Sequence, residues 1–140
     1  MEEFLTHSPQ ETEQLGEKLA ACLAPGTVIA LYGDLGSGKT CFTRGFCRHF
    51  GIPEVKSPSF ILINRYEGKD FPLWHIDLYR MEEMGEILEL GLEEIFSGPG
   101  IALVEWAEKG EELLPADCWK IEFAYGEQPE ERRVKFFPPA

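Results

Sequence analysis

The chain has 140 residues, 44% of them hydrophobic, which suits one compact domain with a buried core and excludes a disordered chain. It carries 13 Lys and Arg residues against 25 Asp and Glu residues, a formal net charge of −12, so most of its surface repels a nucleic-acid backbone. No apolar run approaches the roughly 18 residues of a membrane span. The acidic N-terminus also lacks a basic-then-apolar signal, so we expect a cytoplasmic protein that does not act on membranes.

The first half of the chain alternates helix and buried strand. A helix is predicted from "SPQE" (8–11), where serine caps, proline takes the first helical position and glutamate completes a capping box. The apolar run "TVIALY" (27–32) then predicts a strand buried on both faces, as in a parallel sheet. A second helix follows the next glycine-rich stretch, because Phe42 and Phe46 lie four apart and the pattern stops at Gly51.

The second half adds further strands and an acidic helical stretch that glycines interrupt. The predicted elements are a loop turning into a strand in "SPSFILINRY" (57–66), an alternating strand in "LWHIDLYR" (73–80), helix in "MEEMGEILELGLEEIF" (81–96), a buried strand in "IALVEW" (101–106), and a hairpin of "CWKIEFAY" (118–125) with "RRVKFF" (132–137). Together they predict an α/β fold in which helices flank a mixed, largely parallel sheet, with a C-terminal β-hairpin and a single domain over 1–140.

The stretch "GDLGSGKT" matches the phosphate-loop pattern G-x-x-x-x-G-K-[ST] and lies between a buried strand and a helix, as that pattern requires. Its glycines let several backbone N–H groups point at phosphate oxygens, and the helix that follows adds its positive N-terminal end. Lys39 is predicted to reach the β- and γ-phosphates, and the Thr40 hydroxyl to bind Mg²⁺. The residues predicted to bind the nucleotide phosphates are Gly33, Asp34, Leu35, Gly36, Ser37, Gly38, Lys39, Thr40 and Cys41.

Two carboxylates are candidates for the chemistry beside this loop. Glu105 ends the buried run "IALVE", so it is predicted to hold the Mg²⁺ or its waters; the alternative is a strand end that simply meets water. Asp77 is predicted to orient or deprotonate the attacking water, with His75 on the same strand face. The alternatives are an aspartate that caps or pairs with Arg80, and a histidine packed in the core.

Two further positions have both a functional and a structural interpretation. Ser57 and Ser59 flank Pro58 at a point where phosphate-loop enzymes often have a segment that senses the γ-phosphate, although an ordinary Ser-Pro turn is the alternative. Trp106 either stacks near the nucleotide or packs in the core. The chain has no N-K-x-D segment, no transporter signature and no arginine-rich lid, which disfavours a GTPase, a transporter or a small kinase.

Four stretches together resemble the bacterial TsaE family, also called YjeE. They are "LYGDLGSGKT", "SPSF", "HIDLYR" and "LVEWAEK", in that order, within a resemblance running from about Thr12 to Arg133. The resemblance implies a small ATPase required to make threonylcarbamoyladenosine in tRNA, with ATP at the glycine loop and Mg²⁺ on Thr40 and Glu105. It also implies a catalytic or Mg²⁺-network role for Asp77. The further residues that it places around the nucleotide are Glu11, Thr12, Glu108 and Arg133.

The same resemblance implies the partners. These are TsaD, which transfers the threonylcarbamoyl group, and its scaffold TsaB, with tRNA contacted only through that pair. Two positions depart from the family, which usually has threonine where Ser59 stands and often has threonine where Cys41 stands. Two alternatives stay open, namely a nucleotide-gated binding module in which ATP is a switch, and a small-molecule kinase.

Overall fold

A computed structural model describes residues 1–55 and 62–139 of the chain. Its strands are, in chain order, β1 (Glu2–Thr6), β2 (Val28–Tyr32), β3 (Ile63–Glu67), β4 (Pro72–Asp77), β5 (Ile101–Glu105), β6 (Trp119–Tyr125) and β7 (Arg132–Phe137). Its helices are α1 (Pro9–Ala20), α2 (Lys39–His49), α3 (Met84–Leu88), α4 (Leu92–Ser97) and a 3₁₀ helix over Ala107–Leu113. Within the described residues, no helix has both the length and the apolar composition needed to cross a membrane.

All of these strands belong to one sheet, in the order β1-β7-β6-β2-β5-β4-β3. The central four, β6, β2, β5 and β4, run parallel to one another. Antiparallel pairs close both edges, β1 with β7 and β7 with β6 on one side, and β3 with β4 on the other. The predicted α/β fold with a mixed sheet and a C-terminal hairpin is therefore confirmed, with the parallel pairing confined to its centre.

The edge strand β1 is not among the predicted elements. It begins with two exposed glutamates and is only five residues long, so its own sequence shows no strand pattern. Its pairing with β7 and the contact of the Phe4 ring with Phe136, 4.9 Å between centroids, hold it on the sheet. The strand thus depends on the far end of the chain rather than on local preference.

The start of α1 is confirmed as a capped helix. The Ser8 hydroxyl accepts a hydrogen bond from the backbone N–H of Glu11 at 3.2 Å. The Glu11 carboxylate accepts from the backbone N–H of His7 at 2.8 Å, one residue earlier than a standard capping box. Helix α1 therefore begins at the predicted residue, with its glutamate bonded to the preceding turn.

Helices α1 and α2 pack against one face of the sheet, and α3, α4 and the 3₁₀ helix cover the other. Alternate residues of β2 serve the two layers, with Ile29 and Leu31 facing α1 and α2 and with Val28 and Ala30 on the opposite side. Burial of both faces explains the continuous apolar run that predicts this strand. The strand and α2 are in this way both anchored in the core, which fixes the loop that joins them.

Candidate functional site

The glycine loop joins the end of β2 to the start of α2, at the carboxyl ends of the parallel strands. Gly38, with φ of 114°, is the residue that caps α2, a conformation that L side chains rarely adopt. Gly33 is required by space, because a Cβ there would lie 2.6 Å from Ser37 Oγ and 2.8 Å from the Phe123 carbonyl oxygen. The loop is therefore curled tightly onto β6, with the open N-terminus of α2 at its centre.

The lysine of the loop points back into this curl. Lys39 is 4% exposed; its ammonium donates to the Gly33 carbonyl and lies 3.7 Å from the centroid of the Trp106 ring. Burial lowers the pKa of Lys39, an effect that the charge of Glu105 opposes. Trp106 itself has φ of 57°, the only positive value among the described residues other than glycine, so its backbone is strained at this point.

Thr40, in the first turn of α2, meets Glu105 at the end of β5. The Thr40 hydroxyl lies 3.2 and 3.3 Å from the two carboxylate oxygens of Glu105, to which it donates. Glu105 is 3% exposed, so it is a buried carboxylate and not a strand end that simply meets water. Hydroxyl and carboxylate oxygens are the ligands that Mg²⁺ prefers, and here they stand side by side.

Asp77 lies directly opposite Glu105 in the β4–β5 pairing. It is 8% exposed, and one of its oxygens accepts a hydrogen bond from the backbone N–H of Tyr79 at 2.9 Å. Burial raises the pKa of Asp77, and the Glu105 charge raises it further, whereas the Tyr79 N–H lowers it. A carboxylate shifted in this direction accepts a proton more readily than an ordinary aspartate.

These side chains share one cavity of about 290 Å³ at the mouth of the loop. Cys41 also faces it, and its sulfur accepts a long hydrogen bond of 3.9 Å from Arg44. The lining residues are Leu35, Gly36, Gly38, Lys39, Thr40, Cys41, Asp77, Tyr79, Arg80, Glu105 and Trp106. Most of the predicted phosphate-binding residues are thus brought together with both candidate carboxylates, and Trp106 lines the cavity as well as packing against the core.

The remaining predicted residues are placed at varying distances from this cavity. Thr12 is buried, shares a 2.8 Å hydrogen bond with Thr6, and lines a smaller adjoining cavity together with Cys41. Glu11 is exposed and bonds to His7. Ser59, with Ser57 and Pro58, lies outside the described residues.

Glu108 and Arg133 do not line the cavity. Glu108 is exposed and faces a separate surface hollow beside Met84 and Glu112. Arg133 points away, with its guanidinium 3.8 Å from the Glu3 carboxylate on the neighbouring edge strand. Neither residue lines the cavity in this structure, although the charge of Glu108 acts to raise the pKa of Lys39.

Arg132 and Tyr125 are the site residues missing from the prediction. The Arg132 guanidinium donates two hydrogen bonds, 3.2 and 3.0 Å long, to the Gly36 carbonyl, and the Tyr125 hydroxyl donates to the Leu35 carbonyl. Both residues belong to the C-terminal hairpin. The alternation of side chains along β7 predicts that Arg132 and Arg133 lie on opposite faces of the sheet. It does not indicate which face contacts the glycine loop.

Comparison with known proteins identifies the family of this chain. The family model described as "Threonylcarbamoyl adenosine biosynthesis protein TsaE" matches residues 6–134. A protein of Bacillus subtilis (strain 168) named "tRNA threonylcarbamoyladenosine biosynthesis protein TsaE" is 47% identical over 117 residues, covering 83% of this chain and 73% of that protein. The protein of the same name from Rickettsia bellii is 41% identical over 119 residues, covering 84% and 82%.

A solved structure gives the same result at the level of the fold. The crystal structure of YdiB from Bacillus subtilis superposes with a TM-score of 0.85 at 37% identity, covering 99% of this chain and 86% of that one. The family model spans nearly the whole chain, and both relatives share more than 40% of the aligned residues with it. The chain therefore belongs to the TsaE family of threonylcarbamoyl adenosine biosynthesis proteins.

Proposed function

We propose that this protein binds ATP with Mg²⁺ at the glycine loop, hydrolyses the β–γ bond, and so supports formation of threonylcarbamoyladenosine in tRNA. The observation that carries the proposal is the convergence of Lys39, Thr40, Asp77 and Glu105 on one cavity at the N-terminus of α2. A lysine, a hydroxyl and two buried carboxylates beside the N-terminal N–H groups of a helix are the parts that phosphoryl transfer uses.

The loop fits a nucleotide's phosphates. The first N–H groups of α2 have no partners within their own helix, and the positive end of its dipole favours an anion. The Ser37 hydroxyl is buried and has no hydrogen-bond partner among the described residues, so it is available to a group entering the loop. The ammonium of Lys39 lies inside the same curl, close enough to exchange its contacts with Gly33 and Trp106 for a phosphate oxygen.

Thr40 and Glu105 fit Mg²⁺ as it is bound in nucleotide sites. Over the described residues, no three or more His, Cys, Asp or Glu side chains gather into a metal site made by protein alone. Mg²⁺ bound with phosphates typically uses only one or two protein oxygens and retains several waters. When bound, the cation would neutralise charge on the β- and γ-phosphate oxygens.

The protein's own residues stabilise charge, activate water and shape the cavity. Lys39 and the backbone N–H groups stabilise negative charge that develops on the phosphate oxygens. Asp77 holds a water molecule for attack and takes its proton, a role that its raised pKa assists at neutral pH. Trp106 closes one wall of the cavity and keeps Lys39 in place through its ring.

The proposed partners are TsaB and TsaD, with the ATP cycle supporting turnover of their complex. The net charge of −12 supports indirect access to tRNA, because this surface repels a phosphate backbone. A partner of basic character is favoured for the same reason.

A reconstituted modification assay tests this function. Wild-type protein and Asp77→Asn are compared with TsaB, TsaD, tRNA, ATP and the remaining substrates, and both phosphate release and modified tRNA are counted. We expect the variant to bind ATP, to release little phosphate and to support about one round of modification per molecule. Many rounds without phosphate release would show that ATP acts as a switch, and phosphate transferred to a metabolite would show a kinase.

A further inference from the structure

His75, the buried histidine of β4, has no part in the proposed hydrolysis, yet it touches the carboxylate on which that proposal depends. His75 is 0% exposed, and its Nε2 lies 2.5 Å from Oε2 of Glu105. It does not line the cavity that Asp77 and Glu105 line. The imidazole therefore reaches the carboxylate from the interior of the protein without lining the cavity.

The direction of this hydrogen bond follows from its acceptor. Binding a cation requires Glu105 as a carboxylate, which only accepts; in that form the hydrogen lies on Nε2 of His75 and the bond is donated to Glu105. The other ring nitrogen, Nδ1, is buried and has no hydrogen-bond partner among the described residues. Leaving a polar atom buried and unpaired is unfavourable, and an apolar side chain of similar size would fill this space without that penalty. The hydrogen bond to Glu105 is therefore the polar contact that favours histidine over an apolar residue at this position.

The two carboxylate oxygens of Glu105 differ in their hydrogen-bond partners. His75 contacts Oε2, whereas Thr40 lies at nearly equal distances of 3.2 and 3.3 Å from both oxygens. The imidazole therefore restrains rotation of the carboxylate about its last bond. Oε1 and the Thr40 hydroxyl remain as the oxygens offered to a cation in the cavity.

We propose that His75 is a positioning residue for the divalent cation, acting by holding Glu105 in one orientation. The inference rests on the proposed Mg²⁺ and nucleotide site and adds a residue that touches neither ligand. Hydrogen bonds of this kind, made to a metal-binding side chain from behind, change metal affinity by about 10–100-fold when they are removed. The expected effect is thus on cation affinity, with the phosphate-binding loop left intact.

Three variants separate this role from simple packing. His75→Phe keeps a buried aromatic ring but removes the donor, whereas His75→Gln keeps an N–H at a similar distance along the side chain. Ile76→Val is the matched control, because it shortens a fully buried side chain of the same strand that belongs to the opposite core layer. Cation affinity is measured from the EPR signal of free Mn²⁺ in the presence of saturating ADP, and ADP affinity by calorimetry in EDTA.

We expect His75→Phe to weaken Mn²⁺ binding by about 10–100-fold while ADP affinity in EDTA is unchanged. His75→Gln recovers most of the loss, and Ile76→Val binds Mn²⁺ as the wild type does. A folded His75→Phe protein with wild-type Mn²⁺ affinity would overturn the inference. If that variant does not fold, His75→Gln is compared with the shorter His75→Asn, and equal affinities overturn it.

Mn²⁺ binding by the wild-type ADP complex distinguishes a failure of this inference from a failure of the proposed function. If the wild-type ADP complex binds no Mn²⁺, the proposed Mg²⁺-nucleotide site is wrong and the role of His75 falls with it. If the wild type binds Mn²⁺ and His75→Phe binds it equally well, only the role of His75 is wrong.

Discussion

At the scale of single residues, the burial of Asp77 opposes stability while favouring the role proposed for it in hydrolysis. Burial raises the pKa of Asp77 above its ordinary value of 3.8. At a pH between 3.8 and the raised pKa, the folded state therefore binds more protons than the unfolded chain. The free energy of unfolding therefore falls as pH rises through that range. With a neutral side chain at position 77, the free energy of unfolding does not fall for this reason as the pH rises.

Replacing Asp77 by Asn is therefore expected to stabilise the protein at neutral pH while lowering ATP hydrolysis by about 10²–10⁴-fold, the usual contribution of a general base. Asparagine keeps an oxygen that can accept from the Tyr79 N–H. Urea denaturation from pH 3 to pH 8 measures the free energy of unfolding. The curves of the two proteins should converge at acid pH and separate above it; a variant less stable than wild type at pH 7 contradicts the assigned environment.

The adjacent arginines of β7 give a second comparison at this scale. Arg132 donates two hydrogen bonds to the loop carbonyl of Gly36, whereas Arg133 lies beside Glu3. Hydrogen bonds from a charged group contribute about 1.5–3 kcal/mol, so Arg132→Gln is expected to weaken ATP binding on the order of tenfold by loosening the loop. Arg133→Gln serves as the control and should bind ATP as wild type, measured by calorimetry. A loss of ATP affinity in Arg133→Gln but not in Arg132→Gln would place Arg133 at the nucleotide site instead.

At the scale of elements, the contact between α1 and α2 fixes the helix at which the glycine loop ends. The two helices approach backbone to backbone at Gly16 and Gly45, where a Cβ would lie 2.2 Å from the Phe42 carbonyl oxygen and 1.8 Å from the Glu13 carbonyl oxygen respectively. No small rearrangement relieves a contact with backbone at that distance. The side of α2 that meets α1 is thus specified by two positions without side chains.

Gly45→Ala is accordingly expected to lower the free energy of unfolding by about 1–3 kcal/mol, the usual effect of overpacking a close contact. Gly85→Ala in α3 is the matched substitution, because a Cβ there meets no atom within 4 Å. It should stabilise the protein by about 0.4–1 kcal/mol through the unfolded chain. Urea denaturation of both variants measures the difference, and equal effects would mean that the two helices are not in close contact.

Elements specified by local pattern could be predicted from the sequence, and contacts between distant elements could not. β2 and the loop after it follow from a continuous apolar run and from glycine spacing, both readable within a few residues. β1 forms only through β7, and the position of Arg132 beside the loop depends on the order of strands in the sheet. The hydrogen bond between His75 and Glu105 likewise requires β4 and β5 to be neighbours, which periodicity does not show.

At the scale of the whole molecule, the charge of −12 opposes direct binding to RNA. Binding to a phosphate backbone depends on Lys and Arg that release counterions, and acidic residues outnumber them here. We expect no measurable binding of purified tRNA at physiological salt by fluorescence anisotropy, and a signal only when TsaB and TsaD are added. Micromolar binding by the protein alone would contradict an indirect role.

The measurement that tests the central claim most directly is calorimetric titration of ATP with Mg²⁺ into the wild type and into Lys39→Ala. Lys39 is the buried cation at the start of α2, and its removal takes away the charge proposed to contact the phosphates while leaving the Gly33–Gly38 backbone in place. The account predicts a one-to-one complex for the wild type and loss of most of the affinity in the variant. Equal ATP affinity in the two folded proteins would show that the glycine loop is not the nucleotide site.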